Sequence, residues 1–251
     1  MTDMTKGLHT LDSFLDLILP RGCLICGRRL TASEKVVCTV CLLHLPRTEY
    51  HHTPLDNPVA ELFWGLANVY RASAYVFYVP HSDVSKIIFN MKYYGNTDAC
   101  YYMGMLMAGK LAGDGFFTGV DILLPVPLSR GRRRTRGYNQ SEVMARGISA
   151  VTGIPVETKA IERRAFTTSQ TRLTRMERMN NVNNLFVLKD DKRLTGKHVM
   201  LIDDVITSGA TMIACARAIG NVPDIKISVL SLAFSKNAVA AQPAGIAKKK
   251  T

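Results

Sequence analysis

The sequence predicts an α/β domain, a parallel sheet with helices on both faces, joined to a small N-terminal four-cysteine module. Three observations carry that expectation. Between Val69 and Phe234, β-branched and apolar runs alternate with stretches of helical period, the order that strand–helix–strand crossovers produce. The run Val199-Met200-Leu201-Ile202 is followed by Asp203-Asp204 and then by a small, hydroxylated loop that opens an apolar-periodic helix. Two Cys-x-x-Cys pairs lie near the start of the chain.

The elements follow in order. Leu8, Leu11, Phe14, Leu15 and Ile18 recur at helical spacing and predict a leader helix within residues 1–20. An interfacial membrane helix is the weaker alternative, because its polar face is not basic. Its apolar stretch is too short, and too close to Asp12 and Asp16, for a signal peptide. Residues 21–50 form the cysteine module and 51–68 a connector. The α/β body takes 69–236, and residues 237–251 form a basic tail ending in Lys248-Lys249-Lys250.

Within the body, 69–79 reads as a strand. Residues 82–93 suit a helix with Val84, Ile87, Ile88 and Met91 on one face, closed by Gly95. A second helix spans 97–113, its Met103, Leu106, Met107 and Leu111 stripe reading as core. Residues 121–127 give a buried strand ended by prolines, 139–151 a helix and 154–158 a short strand. Residues 163–184 are polar and without period. Strands at 185–188, 199–203 and 225–234 and a helix at 210–220 complete the set.

Composition narrows the function. The 251 residues are 47% hydrophobic, enough for a sizeable core. No apolar run reaches the length of about 18 residues that spans a bilayer. The formal charge of +12 favours polyanions, whether nucleic acid, phosphorylated ligands or an anionic membrane; a merely soluble basic surface is the plain alternative. Of six cysteines, four form the two pairs, while Cys100 and Cys215 stand alone in apolar surroundings as core filler. That usage suits a reducing compartment and predicts a cytoplasmic protein.

Cys23, Cys26, Cys38 and Cys41 offer four thiolates in two chelating pairs separated by eleven residues. Four sulfurs in a tetrahedron suit a structural Zn²⁺, with an iron–sulfur cluster as the alternative. His44 is a weak candidate as a replacement ligand, and the neighbouring His51 and His52 read as surface residues. Arg130, Arg132, Arg133, Arg134 and Arg136 fall within seven residues after a strand end. Guanidinium forks there could grip a diphosphate or a nucleic-acid backbone, or simply be solvated. Tyr138 could stack a base or simply pack. The later polar segment, with Arg163, Gln170, Arg175 and Arg178, could form a lid or a plain surface excursion. In the 203–211 segment, loop N–H groups and a helix N-terminus could hold a phosphate beside carboxylates placed for sugar hydroxyls.

That last segment resembles the signature of type I phosphoribosyltransferases, which hold phosphoribosyl diphosphate (PRPP). The wider set resembles the ComF family over roughly residues 10–235. It comprises the cysteine pairs, Lys92-Tyr93-Tyr94-Gly95, Pro125-Val126-Pro127, Arg136-Gly137-Tyr138-Asn139-Gln140, Gln170 with Leu173, Arg175, Arg178 and Asn181, and the 203–211 loop. Ser208 departs from the family pattern, where a second threonine is common, but keeps the hydroxyl.

The resemblance implies a zinc finger plus a type I phosphoribosyltransferase-like domain, and a role in DNA uptake during natural transformation. Its implied partners are single-stranded DNA, PRPP or a nucleotide, and a DNA-uptake helicase and channel proteins. It implies that Asp203 and Asp204 meet the ribose hydroxyls, directly or through Mg²⁺. Val205, Thr207, Ser208, Gly209, Ala210 and Thr211 would surround the 5-phosphate, and Ser129 and Arg130 would lie at the diphosphate side. A phosphoribosyltransferase in turnover and a non-catalytic PRPP or nucleotide sensor remain alternatives to the DNA-handling role.

Overall fold

The computed structural model describes residues 21–164 and 185–235. The expected leader helix, basic tail and lid candidates Arg175 and Arg178 lie outside these residues. Four strands form one parallel sheet in the order β1 (Arg71–Tyr78), β6 (Lys226–Ser235), β5 (His198–Ile206), β2 (Ile122–Pro125). Side chains alternate across it: Met200 and Ile202 join one core, Val199 and Leu201 the other, as a period of two requires. On the first face lie α3 (Asp83–Tyr93), α4 (Thr97–Gly113) and α6 (Gln140–Thr152), with the cysteine module beyond their edge. On the second lie α2 (Pro58–Glu61), α7 (Ala210–Ile219) and a small antiparallel pair, β3 (Ile161–Arg163) with β4 (Phe186–Leu188).

Local chemistry sets the helix ends. Ser82 and Asn96 accept hydrogen bonds from Ser85 N–H and Ala99 N–H at the starts of α3 and α4. Beyond α3, Gly95 takes φ +66°, the left-handed position that closes helices. Met103, Met107 and Leu111 are fully buried, as are Cys100 and Cys215. Helices α4 and α6 meet through glycines: a Cβ on Gly104 would run into the Met144 carbonyl, and one on Gly147 into that of Tyr101. Both obstacles are backbone, which cannot turn aside.

Three sequence expectations change. Residues 154–158 make only one bridge, Leu123 to Val156, because Pro155 has no N–H with which to extend a ladder. The arginine block, to which the sequence assigns no regular element, is a short helix, α5 (Arg130–Arg136), with Arg132 N–H donating to the Ser129 hydroxyl. Strand β5 runs three residues past the expected end at 203, because Asp203 and Val205 still pair with Ser231 and Ala233 of β6.

His198 lies at the start of β5. Its Nδ1–H donates to the Gly119 carbonyl at 3.0 Å and its Nε2 accepts from the Ser228 hydroxyl at 2.8 Å, the neutral tautomer. Burial first, then Arg71 and Lys226, hold its pKa down to about 4. The unfolded chain takes up this proton near pH 6.5 and the folded protein does not. The contribution is therefore intact above about pH 6.5 and lost progressively down to about 4, by up to roughly 3 kcal/mol. Urea titrations at pH 7.0 and 4.5 are expected to show that loss, and His198→Gln to diminish it; an identical slope in the variant would exclude His198 as its source.

A basic cleft around paired acids

The cysteine module folds around its sulfurs. The Sγ atoms of Cys23, Cys26, Cys38 and Cys41 all lie within 4.8 Å of one another. Cys26 and Cys38 are 3.8 Å apart, and four sulfurs at zinc–sulfur bond length around one ion would stand ~3.8 Å apart. Backbone N–H groups of Cys38 and Cys41 donate to the sulfurs of Cys23 and Cys38, the second capping α1 (Thr39–Leu43). The donor set fits a structural metal such as zinc. His44 is not part of it, since its Nδ1 bonds the Val40 carbonyl at 2.8 Å. Glu34 braces the loop, accepting from Thr31 N–H, Thr39 N–H and Arg28. The module meets the body where Lys86 donates to the Ile25 carbonyl.

At the carboxyl ends of β2 and β5 lies a cleft of 290 Å³ lined by Lys92, Arg132, Arg136, Ser141, Arg163, Asp203, Asp204, Thr207 and Thr211. Open parallel sheets bind ligands at such strand ends. Asp203 Oδ1 accepts from the Ser141 hydroxyl and from Asp204 N–H, each at 2.9 Å. Burial, and then the charge of Asp204, raise the Asp203 carboxyl well above the usual range. The Lys92 ammonium stands 3.2 Å from Asp204 Oδ2. Acids at a strand end commonly face water. Asp204 is instead buried and ion-paired, because the strand continues through it.

The loop behind the acids turns at Gly209, φ +75°, where a Cβ would also press on Leu62 at 3.2–3.3 Å. Only glycine suits both constraints. No side chain caps α7 among the described residues. Asp203, Val205, Thr207, Ser208, Gly209, Ala210 and Thr211 together line a recess of 40 Å³, with first-turn N–H groups available to an anion.

Helix α5 divides its arginines. Arg132 and Arg136, one turn apart, line the acid cleft. Arg130 and Arg133 line a neighbouring depression of 500 Å³ with Lys159 and Lys189. Arg134 is exposed and lines neither. Arg130, expected at the diphosphate side, lies 3.0 Å from Glu162 on the far side of the helix; a 3.6-residue turn cannot aim it with Arg132. Ser129, expected beside it, is taken up as the N-cap of α5.

Tyr138 is committed to packing. It lies half-buried against the core, with its hydroxyl donating to the Met91 carbonyl.

Two cations that the sequence does not assign to the cleft also line it, although Arg163 belongs to the segment expected as a lid or a plain surface excursion. Lys92 stood in a quoted motif, with nothing local to show that α3 ends over β5. Arg163 lay in a stretch without period; β3 is three residues long, too short to signal a strand. Its Nε is buried with no hydrogen-bond partner among the described residues. Burial, and next the neighbouring Arg132, destabilise its charge.

No protein-family model matches the chain. It is similar to the DNA utilization protein YhgH of Shigella flexneri, 26% identical over 198 residues, 78% of this chain and 82% of that protein. It is also similar to Competence protein F of Haemophilus influenzae, 32% identical over 114 residues, 45% of this chain and 50% of that protein. These names bear out the resemblance read from the motifs. Among solved structures, a hypoxanthine phosphoribosyltransferase from Staphylococcus aureus aligns with TM-score 0.37 and 13% identity, over 61% of this chain and 71% of that one. Among the described residues, no helix is long and apolar enough to cross a membrane.

Proposed function

We propose that the protein handles single-stranded DNA in competence-type DNA utilization, and that its acid cleft holds the ribose 5-phosphate part of PRPP or of a nucleotide. One observation carries both halves: a single arginine helix lines two adjoining clefts, one of which contains the paired acids. A sugar phosphate would set its hydroxyls against Asp203 and Asp204 and its phosphate in the 207–211 loop. Its charge would offset the clustering of Arg132 and Arg163 and give the buried Arg163 Nε an acceptor. Mg²⁺ suits the oxygen donors of the two carboxylates, and bound there it would neutralise a diphosphate. The relatives' names support the DNA half. A cytoplasmic location, and contact with an uptake helicase and channel, belong to the same proposal. A phosphoribosyltransferase in turnover is the second reading, favoured by the intact acids and loop.

The test is fluorescence anisotropy with a labelled single strand across a salt series. Each phosphate contact adds about −0.7 to the slope of log K against log salt. The double variant Arg132→Ala, Arg133→Ala is expected to weaken all sequences alike and to flatten the slope by about 1.4. Arg134→Ala, outside both clefts, is expected to change less than either single replacement. Wild-type affinity and slope in the double variant would remove the arginine helix from DNA binding and leave the transferase reading in front.

A further inference from the structure

Beside the acid cleft lies a second groove, of 810 Å³, lined by Tyr78, Pro80, His81, Lys86, Phe89 and Tyr93. Lys92, Ile88 and Tyr78 line both, so the two are continuous. Phe89 and Tyr93 put aromatic rings in the wall of this groove, and Tyr94 adjoins Phe89. Phe89, Tyr93 and Tyr94, on α3 and just past its end, are 50%, 63% and 71% exposed. The Phe89 ring lies 4.8 Å from that of Tyr93 and 5.6 Å from that of Tyr94. Three exposed aromatics clustered about Phe89 are an unfavourable surface unless a partner covers them.

Their setting selects the partner. Lys92 borders the aromatic wall and the acid cleft alike. Arg136, of the arginine helix, places its guanidinium over the Tyr93 ring at 5.6 Å while lining the acid cleft. The patch is thus a set of exposed rings, tilted 41° and 67° from that of Phe89, edged by cations that also line the acid cleft. A purely apolar protein segment has no use for that edge. A single nucleic-acid strand has phosphates for the cations and π-faces for the rings.

We infer that Phe89, Tyr93 and Tyr94 form a base-stacking platform, onto which unstacked bases of a single strand turn while its backbone passes Lys92 and Arg136 toward the arginine helix. The inference rests on the DNA half of the proposed function and adds to it the residues that hold bases. Stacking is indifferent to base identity, because every base has a π-face. The platform therefore gives affinity without sequence preference. The helix carrying it packs through Val84, Ile87, Ile88 and Met91 on its other face, so the exposed rings can be removed without touching the core.

The experiment compares a poly-dT oligomer with an abasic oligomer of equal length, using the full-length, zinc-loaded protein. Wild type is expected to bind poly-dT at least tenfold more tightly than the abasic strand. Phe89→Ala with Tyr93→Ala and Tyr94→Ala is expected to lose that preference while keeping the wild-type salt slope on either strand. Tyr93→Phe with Tyr94→Phe is expected to keep the preference, since rings and not hydroxyls do the stacking. An alanine variant that retains the preference, or loses affinity equally for both strands, would overturn the platform and turn the patch toward a protein partner. The DNA reading would survive either result, provided the Arg132/Arg133 variant still flattens the slope. Wild type binding neither strand would overturn both.

Discussion

Replacing Cys23 and Cys26 with serine is expected to release the metal and unfold residues 21–48 while leaving the parallel sheet assembled. The module's short helix has five residues and buries none of them. Its loops close through isolated contacts such as Leu24 N–H to the Val36 carbonyl and Cys23 N–H to the Arg28 carbonyl. Such a segment cannot offset its ordering entropy alone. A structural zinc in comparable modules supplies an apparent 10 kcal/mol or more, larger than any other single contribution in this region. Metal analysis is expected to give one zinc per wild-type chain and none in the variant, with protease cutting confined to the module. Iron with visible absorption would replace zinc with a cluster; no metal in the wild type would remove the metal centre altogether. Because Val37, Cys38 and Leu45 share a core with Tyr75, Val84 and Ile88, some loss of stability is expected to reach α3.

The second large effect is expected at the acids. Asp203→Asn with Asp204→Asn is expected to weaken Mg²⁺–PRPP by about 100-fold or more. Hydrogen bonds to a charged group contribute roughly 1.5–3 kcal/mol each, and two carboxylates lose them together. Asparagine, unlike alanine, keeps the volume beside Ser141 and Lys92. The ion pair between Asp204 and Lys92 disappears, so a modest fall in melting temperature accompanies the change. Calorimetry with and without Mg²⁺ measures the first effect and thermal denaturation the second. Equal affinity in wild type and variant would take the ribose away from these residues. An affinity lost in proportion to unfolding would make them structural.

Acids, loop and arginines could be read locally because each is a short-range pattern. Two carboxylates followed by a small-residue turn need only the chain order to sit beside a helix start. The cysteine spacing likewise brings four sulfurs within reach of one ion. Arg163 and Lys92 were not readable as cleft residues, since each enters through an element whose position is fixed elsewhere. Lys92 arrives because α3 packs against the sheet, and Arg163 because β3 pairs with β4, where it stands opposite Phe186, a residue far on in the chain. Tyr138 shows the reverse: a plausible stacking residue by type, it is claimed by a backbone carbonyl of α3 that no local pattern reveals.

The sequence by itself determined the alternation of strands and helices, the parallel sheet, the four-sulfur group, the acid pair and the phosphate-type loop, because periodicity and spacing act over a few residues. Only the tertiary structure decided which arginines face the acids, that Asp204 is buried against Lys92, and that Phe89, Tyr93 and Tyr94 stand uncovered beside the cleft. Those outcomes depend on the angular phase of α5 and on the packing of α3 and β3 against elements far away in the chain. Long-range packing sets burial and direction, and with them the charge environment that turns a list of residue types into a site.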